Sequence, residues 1–181
     1  MKTLLQRVIQ DKETNLYPVW IMRQAGRYMP EYMAIKAESN GFLDMALTPE
    51  KATEITMQPI KEFDMDAAII FSDILIINYA LGQELDYNPA PELGPYKESF
   101  WETTESEFIE KCEPVYEAIR RVREELDDSK SLIGFAAAPY TLCKYMCDTV
   151  DSDIVNRLIP YIVTHLSMQI EAGCDTVQIF D

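Results

Sequence analysis

Short, nearly unbroken apolar runs alternate along the chain with longer stretches whose apolar positions recur every three or four residues. Four runs have the length and side-chain types of strands: 18–22 (PVWIM), 67–71 (AAIIF), Ser131–Ala137 (SLIGFAA) and Thr176–Phe180 (TVQIF). None has a polar face, as expected of strands covered on both sides. Thr48, Pro49 and Glu50 supply a cap, a first-turn proline and an early acid, so they predict a helix running through Ile55 and Ile60 toward Phe63. A second helix is predicted over 105–126, and Ile154, Leu158, Ile162, Leu166 and Ile170 mark the buried stripe of a third. Pro114 and Pro160 are expected to end or kink these helices locally. Strand alternating with helix is the pattern of βαβ units and a parallel sheet.

Polar residues gather just after the runs: Arg23 and Gln24 after the first, Ser72 and Asp73 after the second, Pro139 to Thr141 after the third, Asp181 after the fourth. In a parallel sheet the C-terminal strand ends open on one rim, where α/β barrels carry their active sites. Ordinary polar turns at strand ends account for the same pattern without any function. The expected fold class is α/β, a parallel (β/α)8 barrel of the TIM type, with about its first four β/α units represented. The 181 residues fall short of the roughly 250 of a complete barrel, so residues 1–181 are expected to be the N-terminal half of a single barrel domain. Half a barrel leaves an open sheet edge, and association of copies is the expected remedy.

Charge narrows the partners. The formal net charge of −15 argues against nucleic acid and anionic membrane surfaces. The acid is uneven: 84–128 holds 14 acidic and 5 basic residues, whereas 19–36 holds Arg23, Arg27 and Lys36 against Glu31 alone. An anionic ligand would therefore meet the arginine-bearing segment. No apolar run approaches the roughly 20 residues that span a bilayer, and MKTLLQRVIQDKE mixes charge where a signal peptide would not, so a cytoplasmic location is expected. Cys112, Cys143, Cys147 and Cys174 are then expected to stay reduced. Cys143 and Cys147 would share a helical face, but a metal site needs more ligands and the chain has one histidine, His165, which falls within an apolar helix stripe and is expected to be structural.

Residues 18–32, PVWIMRQAGRYMPEY, resemble the N-terminal signature of the uroporphyrinogen decarboxylase family nearly residue for residue. Phe71-Ser72-Asp73-Ile74-Leu75, continuing to Ala80-Leu81-Gly82, is similar to the family segment whose aspartate binds the macrocycle. Residues 134–146, GFAAAPYTLCKYM, are similar to the segment whose tyrosine faces the substrate, and 173–181 resembles a family strand that reaches the active site. The resemblance implies loss of CO2 from the four acetate arms of uroporphyrinogen, giving coproporphyrinogen, with no metal and no organic cofactor. It implies Asp73 and Arg23 as catalytic residues, and Arg23, Gln24, Arg27, Asp73 and Tyr145 as substrate-binding residues. It also implies a homodimer for the full-length protein. The chemistry is legible in the residue types: an arginine fork suits carboxylates, and one carboxylate can accept several pyrrole N–H groups.

The sequence departs from the family at Met33, at Asn78-Tyr79 and over 89–94. The larger departure follows Met146, where the family carries a glycine-rich loop and a further helix, and where Cys147 to Asp151 here runs at once into the next helix. Two other readings stay open: a non-catalytic remnant that binds a tetrapyrrole or a partner, and a methyltransferase of the same superfamily fold.

Overall fold

In the computed structural model of this protein the described residues are all but Met1, Glu13, Thr14, Leu16, Arg23, Arg27, Asn88, Pro89 and Asp148. The N-terminal third is helical. Helix α1 (Leu4–Asp11) starts from a reciprocal capping box between Thr3 and Gln6. Helices α2 (Pro30–Ala37), α3 (Phe42–Ala46) and α4 (Pro49–Phe63) follow, with proline in the first turn of α2 and of α4, where its missing N–H is harmless. Strand β1 (Ala67–Ile69) leads through a turn to the short α5 (Ile76–Ala80), and β2 (Leu85–Tyr87) and β3 (Pro91–Leu93) form an antiparallel hairpin. The remainder alternates as expected: α6 (Glu105–Glu125), β4 (Ser131–Ala137), α7 (Pro139–Cys147), α8 (Ser152–Ala172) and β5 (Thr176–Phe180).

Strands β1, β4 and β5 form a parallel sheet in that order, so successive strands of the sheet are spatial neighbours, as in a β/α barrel. β4 is buried along its whole length because it is the middle strand with apolar cover on both faces. Helices α4, α6 and α8 pack side by side, and their stripes, including Ile60, Phe108, Tyr116, Ile119, Leu158 and Ile162, join the strands in one core. At the N-terminal end of the sheet Asp175 ties four elements together. Its Oδ2 accepts from Nη1 of Arg123 (3.0 Å) and the N–H of Leu132 (2.8 Å), and its Oδ1 accepts from Nε2 of Gln6 (3.1 Å).

Residues 18–22, expected as the first strand, form none. Val19 makes one pair of contacts to the foot of β1: its carbonyl accepts from the N–H of Asp66 (3.0 Å) and its N–H donates to the Asp66 carboxylate (2.7 Å). Beyond that the edge of β1 is already occupied. The side-chain amide of Gln24 donates to the carbonyl of Ala67 (2.7 Å) and accepts from the N–H of Ile69 (3.1 Å). Those are the two groups, two residues apart, that a peptide of a parallel neighbour would engage, so one side chain stands in for a strand. Of the four expected β/α units, the described residues thus show the strands of three.

Pro114 and Pro160 do not end their helices, since α6 and α8 run through both. Each proline frees the carbonyl four residues earlier, on Glu110 and Asn156, and both of those residues are exposed to water.

Candidate functional site

Asp73 sits four residues beyond β1, at the C-terminal end of the sheet. Its Oδ1 accepts from the N–H of Leu75 (2.7 Å), a turn-forming bond that starts the chain toward α5. Burial raises the proton affinity of this carboxyl above the ordinary aspartate value, and the Leu75 N–H and the Tyr87 hydroxyl act in the opposite direction. Neither of the wall residues beside it is fully satisfied. The hydroxyls of Ser72 and Tyr87 are both buried and have no regular hydrogen-bond partner among the described residues. Tyr87 makes no regular hydrogen bond to Asp73. Burial first, and then the negative charge of Asp73, push its own ionisation far up, with a smaller contribution from Tyr145.

The Tyr87 ring packs on Phe42 (centroids 4.8 Å apart), Phe42 on Phe71 (5.2 Å), and Phe71 edge-on to Tyr32 (6.1 Å). This aromatic wall joins the hairpin, α3, the end of β1 and α2. Tyr145, on α7, is exposed. Thr141, one turn earlier, donates to the Asp181 carboxylate just past β5 (3.0 Å), so the residues following all three strands meet at one rim. Buried polar atoms without partners, next to a carboxyl that burial disfavours as an anion, are the features that mark a ligand site.

The residues anticipated from sequence are placed unevenly. Asp73 lies just past β1 and Tyr145 on α7. Gln24 is buried and both its amide hydrogens are engaged, on Ala67 O and on Sδ of Met65 (3.0 Å), so a ligand finds no free N–H there. In this structure its amide serves the edge of β1. Arg23 and Arg27 lie outside the described residues. Tyr87 was not anticipated; the alternation Leu85-Asp86-Tyr87 places Leu85 and Tyr87 on one face, but only the folded hairpin brings that face to Asp73.

A cleft at the opposite end of β1 is lined by Val19, Ile21, Tyr28, Phe63 and Met65 with Asp64 and Asp66. Among the described residues its lining carries no cation. His165 on α8 is enclosed and hydrogen-bonds Tyr116 through Nδ1 (2.9 Å), and burial lowers its pKa to about 4. Sγ of Cys143 and Cys147 lie 3.8 Å apart as free thiols, and among the described residues no group of three or more His, Cys, Asp or Glu is gathered as a metal site.

A parallel sheet of successive strands alternating with helices, with a desolvated carboxyl past the C-terminal end of its first strand, is the architecture of part of an α/β barrel. Comparison with known proteins narrows it. The family model for uroporphyrinogen decarboxylase matches residues 1–181, and the chain belongs to that family. It is 40% identical to the uroporphyrinogen decarboxylase of Brucella anthropi over 203 positions, covering 100% of this chain and 59% of the relative. It is 40% identical to that of Rickettsia bellii over 190 positions, covering 92% and 55%. A methyltransferase from Methanosarcina mazei superposes with a TM-score of 0.78 at 15% identity, over 97% of this chain and 57% of that one, and shares the fold. The chain thus spans a little over half the length of the curated relatives it matches. The 203 aligned positions against 181 residues leave about 22 positions of the B. anthropi protein without a counterpart here. The N–H of Asp151, just before α8, is directed at Cys143 Sγ (3.4 Å).

Proposed function

We propose that this chain forms the N-terminal half of a barrel domain that decarboxylates uroporphyrinogen to coproporphyrinogen, and that Asp73 is its central catalytic residue. The observation that carries the reading is the Asp73 carboxyl on the rim: partly buried, bonded through one oxygen to Leu75, and flanked by the unpaired hydroxyls of Ser72 and Tyr87. A porphyrinogen presents pyrrole N–H donors at its centre and carboxylates at its periphery. Asp73 would accept the N–H groups, while Arg23 and Arg27 would grip the acid arms and Tyr145 would support the pocket.

The chemistry needs no external electron sink. Protonation of a pyrrole ring carbon makes the ring cationic, and the bond from the acetate methylene to its carboxylate then breaks. The electron pair flows into the ring and CO2 leaves. A proton added to the methylene carbon gives the methyl group, and loss of the ring-carbon proton restores the pyrrole. Asp73 would stabilise the cationic ring, the point at which a fixed negative charge lowers the barrier. Arg23 is assigned to proton relay as well as binding, although a guanidinium is a weak acid. On family grounds the full-length protein would be a cytoplasmic homodimer. Among the described residues, no helix is long and apolar enough to cross a membrane.

The test is incubation of the chain with uroporphyrinogen under reducing conditions, with chromatography of the oxidised products. Partially decarboxylated porphyrins that vanish in Asp73→Asn support the reading, and unchanged substrate overturns it for this chain. The positions missing relative to the B. anthropi protein favour one alternative, a chain that binds the tetrapyrrole without turning it over. Saturable binding with no product would select that alternative.

A further inference from the structure

We propose that Cys143 and Cys147 form a dithiol site on α7 that chelates a trivalent organoarsenical, an arsenic carrying one carbon group and two hydroxides, through both sulfurs. The site does not depend on the role of Asp73, which follows β1.

The two cysteines are four apart on one helix, and helical side chains lean toward the N-terminus, so Cys147 reaches back toward Cys143. Their Sγ atoms stand 3.8 Å apart, and both are free thiols. Both sulfurs also converge on one point: the Thr149 carbonyl lies 3.0 Å from Cys147 Sγ and 3.8 Å from Cys143 Sγ. The Asp151 N–H, directed at Cys143 Sγ (3.4 Å), helps to fix the inner thiol. Cys143 is buried, while Cys147 is half-buried at the last position of α7, so the pair has an enclosed sulfur and an accessible one.

Two sulfurs bonded at about 2.3 Å to one centre, at a near-tetrahedral angle, stand about 3.8 Å apart, which is the separation already present. A disulfide fits worse. It needs the two Cβ atoms about 3.8 Å apart, whereas a helix holds residues at this spacing about 5 to 6 Å apart. The pair therefore suits a bridging atom rather than a direct bond. A zinc ion would need further ligands, and among the described residues no group of three or more His, Cys, Asp or Glu is gathered; an organoarsenical asks for the two sulfurs alone. Burial first, and then the neighbouring Cys143, push the Cys147 thiol up to about 11, so it is protonated at neutral pH. The condensation takes the thiols in that form. Two As–S bonds form, two As–O bonds break, each hydroxide leaves with one thiol proton as water, and the arsenic stays trivalent. Closing the ring staples the last turn of α7, whose Met146 carbonyl accepts from the Gln83 amide (2.9 Å) at the base of the β2–β3 hairpin.

The probe is phenylarsonous acid, added in equimolar amount to the reduced full chain and challenged with rising glutathione, with the adduct read by intact mass and the fold of each variant checked by circular dichroism. A monothiol strips an arsenical from one cysteine, whereas a chelate resists because its second bond is intramolecular. Wild type should retain one phenylarsenic group and surrender it to a small dithiol such as dimercaptopropanol. Cys143→Ala and Cys147→Ala should each lose it at about a hundredfold less glutathione. Cys112→Ala, which removes a buried thiol of α6, should behave as wild type. Cys147 is the half-buried member, so Cys147→Ala decides the matter even if Cys143→Ala fails to fold. Loading should also raise the Tm of wild type and leave that of Cys147→Ala unchanged, because a ligand held by the folded state stabilises it by mass action. An adduct that resists glutathione equally in Cys147→Ala, or one stripped from wild type as readily as from that variant, overturns the proposal. A wild-type Tm unmoved by loading overturns it too, since the arsenical would then prefer no folded site.

Discussion

His165 is 3% exposed, and its one hydrogen bond among the described residues joins Nδ1 to the Tyr116 hydroxyl across the packed faces of α6 and α8. Enclosure lowers its pKa from 6.5 to about 4, so the folded protein excludes a proton that the unfolded chain takes up readily. A folded-state pKa below the unfolded one contributes stability that is present above about pH 6.5 and is lost as pH falls toward 4. At about 1.4 kcal/mol per pH unit, the full loss is about 3 kcal/mol, and most of it has occurred by about pH 4.5. That is a large fraction of the roughly 5 to 15 kcal/mol that holds a domain together. The perturbation is His165→Gln, which keeps an acceptor for Tyr116 and removes the titration. Urea unfolding followed by tryptophan fluorescence at pH 7.5, 6.5, 5.5 and 4.5 gives the stability of each chain. Glu98, Glu107, Glu117, Asp44 and Asp127 all have lowered pKa values from their hydrogen bonds and also lose stabilisation in acid, but equally in both chains. The difference between the two curves therefore isolates the histidine. Wild type should lose about 2 to 3 kcal/mol more than His165→Gln between pH 7.5 and 4.5, and parallel curves would refute the reasoning.

Asp73 has the opposite sign. Burial raises its folded-state pKa, so its favourable contribution is complete only below the unfolded value and is lost as pH rises through the folded one. Asp73→Asn should accordingly melt higher than wild type near neutral pH, with the gap closing in acid, while abolishing turnover. Gly134→Ala should lower stability by about 1 to 3 kcal/mol in denaturant titration. A Cβ there would meet Gln169 Oε1 at 2.4 Å and Cys174 Sγ at 2.9 Å, and Gln169 cannot retreat because its amide bonds both the N–H and the carbonyl of Phe135 at 2.8 Å. Gln24→Ala should cost about 2 to 4 kcal/mol in the same assay, since it strips the Ala67 carbonyl and Ile69 N–H of their partner at the edge of β1.

Much of this architecture is written locally. The Thr104–Glu107 capping box and the Asp151 cap place the starts of α6 and α8 by satisfying their first N–H groups, and α4 starts on Pro49, whose missing N–H needs no partner there. β4 and β5 follow from unbroken apolar runs between those helices. The same rule misassigned 18–22: apolar content makes a segment eligible for a sheet, but a strand exists only where a ladder partner is free, and Gln24 had taken that edge. That α6 and α8 continue past Pro114 and Pro160 rather than ending there depends on which carbonyls face water, a property of packing. Asp73 and Tyr145 were named from short segments that resemble a known family. The aromatic wall of Tyr87, Phe42 and Phe71 could not be named that way, because it depends on a hairpin tied to α7, on α3 and on the chain past β1, residues distant in the sequence that only close packing brings into contact. Sequence dictates which backbone groups find partners within a turn or two; which side chains share a buried site, and so which of them lose their water, is decided by the tertiary fold.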